Sequence, residues 1–367
     1  FIRVYLQHSY MNNNKGDNMN NYKKLGVSAL AGTLASLTAM QAANAGAIDV
    51  SGSIDLSYVG RDTDENTGNP YGMSKDFQMN GSGEMDNGYS WSYFANYADG
   101  TAGLGSITSA AFTMNLDTMG SITVSQGSGS AVSLIDDVTP TAYEESWDNV
   151  GSTSGLNLIG GVASGTVLRY AMPELPFGTK VVVAYNPDPG ASKQADGGSA
   201  LGTNAYGAGM DGTITTSLGI DGLTLAAGYA EIEVQNGKTT SSTYKSDIDE
   251  MVAYVKYAAG PVTFGYFESY ESTGFRAAAS VDAYETDGFG ISFAVNDNMS
   301  ISYAEVENTK EFGTVGQTDV TLETEGIGFS YNLGGASLLI QHNEMNRSWG
   351  SATASDENTE VRLKMAF

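Results

Sequence analysis

Five carboxylates stand close together in this chain. Asp136-Asp137, Glu144-Glu145 and Asp148 fall within residues 127–162, and basic residues follow at Arg169, Lys180, Lys256, Arg362 and Lys364. Acids facing bases across a water-filled gap set a transverse field, and charged rings of this kind select ions. Were the stretch to lie outside, its acids would simply be solvated. Other chemistry is poorly supplied. A nucleophile or a hydrolytic water needs a base beside it, and beyond the leader the one histidine is His342. It is in phase with Leu338 and Ile340, which puts it on an apolar face near the outer rim. Asp62-x-Asp64-x-Asn66 opens like a calcium loop, yet Thr67 and Met73 stand where that loop needs Gly and Glu. No Cys is present, so neither a disulfide framework nor a thiolate metal site is available.

The elements that must position these residues are strands. Apolar side chains recur at every second position almost throughout. In the first segment Ile48, Val50, Ile54, Leu56 and Tyr58 share a face, and Asp49, Ser51, Ser53, Asp55 and Ser57 share the other. Sixteen such segments can be read, the last ending on Phe367. Tight connections at 85–88, 117–120, 173–176, 219–222, 258–261, 296–298 and 334–335 alternate with longer polar ones. The longer ones lie near 61–74, 99–106, 127–162, 187–204, 235–246, 271–281, 307–319 and 345–357. Short turns alternating with long loops mark a bacterial outer-membrane barrel. A soluble β-sandwich alternates polarity too, but has no reason to sort its loops by length.

The faces follow from size. Sixteen strands enclose a lumen too wide for side chains to fill. Ser, Thr, Asp and Glu faces then line water, and Leu, Val, Tyr and Phe faces meet lipid. Tyr58, Tyr97, Tyr229 and Tyr303 near strand ends suit an interfacial girdle. Arg169, opposite in phase to Leu168, Tyr170 and Met172, faces the lumen, as do Lys180, Lys256, Arg362 and Lys364. The final run Val361 to Phe367 alternates strictly. An apolar open edge invites aggregation, so this strand is expected to close the barrel against residues 46–58.

The formal charge of −25 argues against nucleic-acid binding, which needs clustered Lys and Arg. A hydrophobic content of 41% with 10% aromatics argues against disorder. The start reads as leader. Residues 1–18 begin without Met and read as an upstream translation artefact. Residues 19–45 read as a secretory signal peptide: Lys23-Lys24 in a basic head, an apolar run over 25–40, and a cleavage pattern at Ala43-Asn44-Ala45. The run is short for a transmembrane anchor. The barrel is then 46–367, more acidic still, because the leader removes Arg3, Lys15, Lys23 and Lys24 but only Asp17 among acids.

Three local patterns carry a family resemblance. Gly81-Ser82-Gly83-Glu84-Met85-Asp86-Asn87-Gly88 resembles the second-to-third hairpin of general Gram-negative porins. Thr166-Val167-Leu168-Arg169-Tyr170-Ala171-Met172-Pro173, closed by Phe177-Gly178, is similar to their sixth strand and turn, and Phe367 to their terminal residue. The resemblance implies a homotrimer in which the third loop folds inward as a constriction, with acids on the loop and bases on the wall. It makes Asp136, Asp137, Glu144, Glu145, Asp148 and Arg169 the constriction candidates, and Phe367 a signal for the barrel-assembly machinery. Met365 departs from the family, where an aromatic is common. The few basic residues weaken the expected field and favour cations.

The expected fold is all-β: a sixteen-stranded antiparallel transmembrane β-barrel with a long third extracellular loop folded into the lumen. The expected function is passive diffusion of ions and small hydrophilic solutes across a Gram-negative outer membrane, with cations preferred and no enzymatic step. A solute-specific sugar or anion channel is the nearer alternative, and a structural or adhesive barrel with a plugged lumen the other. Expected partners are two further copies, membrane lipid and lipopolysaccharide. No cofactor is required, though acidic loops could hold Ca²⁺ or Mg²⁺ loosely.

Overall fold

The computed structural model describes residues 47–61, 69–100, 103–135, 138–148, 150, 156, 158–190, 206–234, 246–274, 281–313, 316–346 and 355–367. The leader segments 1–18 and 19–45 lie outside these residues. So do Asp62, Asp64, Asn66, Asp136 and Asp137.

The strands are β1 (Ala47–Arg61), β2 (Tyr71–Glu84), β3 (Ser90–Gly100), β4 (Gly103–Asn115), β5 (Ser121–Gln126), β6 (Thr166–Ala171), β7 (Lys180–Asn186) and β8 (Tyr206–Thr216). They continue as β9 (Leu223–Val234), β10 (Ile248–Ala259), β11 (Val262–Ser272), β12 (Val281–Asn296), β13 (Met299–Phe312), β14 (Val320–Asn332), β15 (Ser337–Asn346) and β16 (Asp356–Ala366). Each pairs antiparallel with its neighbours, and β1 pairs with β16 to close a sixteen-stranded barrel. All sixteen expected strands are present.

Closure runs from Ser53↔Ala366 to Arg61↔Asn358. Beyond it, Gly52 N–H donates to the Phe367 carbonyl at 2.8 Å, and Phe367 N–H donates to the Gly52 carbonyl at 2.9 Å. The last residue therefore completes the ladder. Lipid offers backbone groups no partner, so only a ladder without an edge can span it.

The period-2 pattern sorts by face as polarity demands. Ile54 and Leu56 are 38% and 42% exposed, and Asp55 between them is 5% exposed. The apolar side chains point out of the barrel, and Asp55 points in. Tyrosines cap the apolar band on the loop side. Tyr58 packs edge-on to Tyr71 at 5.5 Å, and Phe77 stacks on Tyr97 at 4.6 Å. The Tyr303 hydroxyl donates to Glu325 at 3.0 Å, and the Tyr229 hydroxyl donates to Asp249.

Five connections are shorter than the sequence suggested, because strands run into them, including the last, where β15 continues to Asn346 and β16 begins at Asp356. β2 begins at Tyr71, β4 at Gly103 and β12 at Val281, and β13 continues to Phe312. The cause is physical. A spanning strand needs about 9–11 residues, and several here are longer. Above the membrane the outward face meets water, so Glu285, Asp287, Glu305 and Glu307 replace apolar residues there. The strand goes on while its apolar marker stops.

The tight turns depend on glycine. Gly120 has φ +87°, and a Cβ there would lie 2.2 Å from the Ala171 carbonyl oxygen. At the seam, a Cβ on Gly52 would lie 2.6 Å from the Asp76 carbonyl oxygen and 2.8 Å from the Phe367 ring. Gly52→Val should therefore destabilise the barrel by about 1–3 kcal/mol, the usual cost of overpacking. Unfolding in urea read by tryptophan fluorescence should show a lower midpoint. An unchanged midpoint would mean that the seam tolerates displacement of Phe367.

Candidate functional site: an acidic loop against the barrel wall

The connection between β5 and β6 spans residues 127–165, and its described residues touch inward-facing side chains on many strands. Its two limbs are held by one carboxylate. Asp211 of β8 accepts from Ala131 N–H at 3.0 Å and from Val162 N–H at 3.1 Å. Glu250 of β10 accepts from Gly161 N–H at 2.5 Å. Further along, Ala142 N–H donates to Ser302 Oγ at 2.7 Å, and Ser146 Oγ lies 3.1 Å from Thr324 Oγ1. Asn343 of β15 donates to the carbonyls of Glu145 and Asp148, both at 2.8 Å.

The loop also has an apolar underside. Val132, Ile135 and Ile159 pack with Ala226, Ala230 and Val252 of β9 and β10. Leu158 packs with Phe267 of β11 and Val306 of β13, with Val138 and Trp147 alongside. This corrects the expectation of a uniformly polar inward face. Part of that face is apolar, and loop residues cover it. Missing side chains let the loop approach: a Cβ on Gly265 would lie 2.6 Å from Pro140 Cδ, and one on Gly290 would lie 3.0 Å from Thr139 Cβ.

At the seam the loop meets charge. Arg362 Nη2 is 3.0 Å from Glu144 Oε1 and 2.9 Å from Glu360 Oε1, and Nη1 is 3.6 Å from Asp55 Oδ2. Lys364 Nζ reaches the same Asp55 oxygen at 3.8 Å. The guanidinium carbon lies 5.2 Å from the centre of the Tyr143 ring. Glu144, Glu360 and Asp55 are all buried. One guanidinium is thus shared by three carboxylates.

Burial decides the state of Glu144. Burial pushes its carboxyl up to about 8; Arg362 opposes the rise, while Asp148 and Glu360 add to it. The short Arg362 contact alone would suggest a depressed value. Burial prevails because it is the largest effect and the neighbouring carboxylates add to it. Burial likewise raises the Asp148 carboxyl, against hydrogen bonds from Glu145, and raises the Tyr143 phenol.

The remaining expected residues are placed as follows. Glu145 and Asp148 lie on the loop beside Asn343. Arg169 is buried on β6, opposite Thr123 and Ala184. Lys256 shares the inward phase of β10 and stands opposite Gly265. Lys180 is exposed at the start of β7, opposite Thr215 beside a tight turn. Among the expected constriction acids and lumen-wall bases, Glu144 and Arg362 come together, Lys364 joins them through Asp55, and Asp148 lies close enough to act on Glu144. Sequence reasoning missed Asp55, Glu360, Asp211 and Glu250. Their inward phase was visible, and Glu360 stands two residues before Arg362 on the same face. Which loop atoms they hold had no local signal.

A closed barrel with an apolar outside and a largely polar inside is the architecture of a membrane β-barrel. The sequence model of the Gram-negative porins matches residues 26–348. The chain belongs to that family, whose members are outer-membrane channels for passive diffusion. Solved structures agree in fold. The anion-selective porin from Comamonas acidovorans is 15% identical, with 88% of this chain and 100% of that chain covered and a TM-score of 0.60. The outer membrane channel DcaP of Acinetobacter baumannii is 13% identical over 88% of this chain and 98% of that chain, TM-score 0.59. OmpT of Vibrio cholerae in its trimer form is 9% identical over 88% of this chain and 100% of that chain, TM-score 0.58. At such identities the likeness concerns the fold. No curated protein matches in sequence.

Glu144 gives the loop a pH dependence. Its native carboxyl titrates above the unfolded one, so its contribution to docking is complete below the ordinary carboxylate range. That contribution is lost as pH rises through about 8. Trp147 fluorescence should report a transition with a midpoint near 8. Glu144→Gln, neutral at every pH, should flatten it. A transition of equal size in the variant would place the titrating group elsewhere.

Proposed function

We propose that this porin is a cation-preferring diffusion pore whose third loop lies in the lumen and narrows it. The observation that carries the reading is the balance of inward-facing charge among the described residues. Asp49, Asp55, Asp76, Asp211, Glu250 and Glu360 point inward from the strands, and Glu145 stands on the loop beside Glu144, which burial keeps protonated below about pH 8. Inward basic residues are fewer, and Arg362 is engaged by three carboxylates. A pore lined mainly by acids raises the local concentration of cations. The charge of −25 for the whole chain supports the same sign. Asp136 and Asp137 are proposed to join the constriction from the loop, facing basic residues that include Arg169. The trimer form of a structural neighbour supports a homotrimer in the membrane.

Planar-bilayer recording tests the reading. Insertion should give discrete conductance steps, and the reversal potential in a KCl gradient should have the sign of K⁺ preference. The preference should grow as salt falls, because the screening length lengthens from about 3 Å at 1 M to about 10 Å at 0.1 M. A Cl⁻ preference would overturn the selectivity, and an absence of steps would overturn the pore. For the constriction, Gly265→Val should push Pro140 away from the wall and lower the single-channel conductance. Unchanged conductance would place the loop outside the current path.

A further inference from the structure

One group of side chains has no part in the pore. On the outward face of β15, at its loop-side end, His342 stands two residues from Glu344, and Glu357 lies across on β16. His342 Nε2 is 3.3 Å from Glu344 Oε1 and 3.6 Å from Glu357 Oε1. The three candidate ligand atoms all lie within 4.8 Å of one another. Around a tetrahedral ion with N and O bonds of 2.0–2.2 Å, neighbouring ligand atoms are roughly 3.3–3.6 Å apart. The two histidine distances already match that edge.

The other ring nitrogen is held as a metal-binding histidine requires. Nδ1 lies 2.8 Å from Thr359 Oγ1 on β16. A hydroxyl donates or accepts as its rotor turns. When it donates, Nε2 carries the hydrogen and gives it to Glu344. When it accepts, Nδ1 carries the hydrogen, and the Nε2 lone pair faces two carboxylates. The second arrangement is that of an imidazole ligand whose far N–H is fixed by an oxygen. A lone pair aimed between two carboxylates calls for a proton or a metal ion there.

Register adds an independent reason for a cation. Glu325, Glu344 and Glu357 stand directly opposite one another on β14, β15 and β16. Like charges so placed destabilise a sheet. The Tyr303 hydroxyl engages Glu325, and Glu344 and Glu357 converge on His342.

We propose that His342, Glu344 and Glu357 form a divalent transition-metal site on the outer surface of the barrel, with Thr359 orienting the imidazole. One nitrogen and two carboxylates suit Zn²⁺ or Co²⁺; Ca²⁺ takes six to eight oxygens. The fourth position is open to water. The three side chains are 33%, 43% and 45% exposed, so the ion enters from solvent without any opening of the barrel.

The test uses the full barrel purified in detergent, titrated with Co²⁺ and read by visible absorption, with Zn²⁺ as competitor. Wild type should bind Co²⁺ with the intense bands of a low-coordinate site, and Zn²⁺ should bleach them. His342→Ala and His342→Gln should lose the bands. Thr359→Val should keep them at an affinity lowered roughly 10–100-fold. Heat-dependent mobility on gels checks that each variant is folded. No Co²⁺ bands in wild type, or bands unchanged in both His342 variants, would overturn the site. Thr359→Val binding as wild type would overturn the orienting role.

Discussion

Everything in this structure follows from the bilayer's inability to hydrogen-bond a backbone. A strand in lipid must find both ladder partners within the protein, and the sheet must return to its own beginning. The seam between β1 and β16 meets that demand, with Phe367 and Gly52 exchanging the last two amide bonds. Closing sixteen strands has a second consequence. The ring is too wide for its side chains to meet in the middle. A soluble barrel solves interior packing with side chains alone. Here the connection between β5 and β6 contacts inward-facing side chains of β8, β11, β13 and β15.

What holds that segment can be judged by magnitude. Val132, Ile159, Val162, Phe267 and Val306 are almost completely buried, and burying such a side chain contributes about 1.5–3 kcal/mol. The ion cluster around Arg362 is a weaker source of stability, since desolvation offsets much of the attraction in a buried pair. The apolar contacts therefore hold the loop, and the charges and amide bonds fix its register. Asp211 shows the second role clearly. It bonds the backbone of both limbs, at Ala131 and Val162, and so sets their separation.

Strand positions were legible because lipid makes one face of each strand uniformly apolar. Ile48 to Tyr58 and Val361 to Phe367 announce their phase without help from any other segment. The same logic located Arg169, Lys256, Arg362 and Lys364 on the inward phase. Two things escaped it, both for one reason: period-2 reading reports an environment, not a conformation. Where β12 and β13 leave the membrane, Glu285 and Glu305 interrupt the apolar face, and the strands looked shorter than they are. Where the loop covers β9 to β13, Val252, Phe267 and Val306 point inward, so the inner face is apolar against a segment whose path no local pattern records. Two partners of Arg362 were hidden likewise, because Asp55 and Glu144 come from distant parts of the chain, whereas Glu360 stands two residues away on the same face.

That distance ties two events together. Asp55 belongs to β1, Glu360, Arg362 and Lys364 to β16, and Glu144 to the loop. Until β1 and β16 pair, Asp55 is not beside Arg362, and the place that receives Glu144 does not exist. Removing one member of such a buried group costs about 3–5 kcal/mol, more than the group's net worth, because it strands the rest. The cluster therefore favours states in which seam and loop are both in place over states with only one. Closure of the barrel, required by lipid, is thereby coupled to the docking of the loop that carries Glu144.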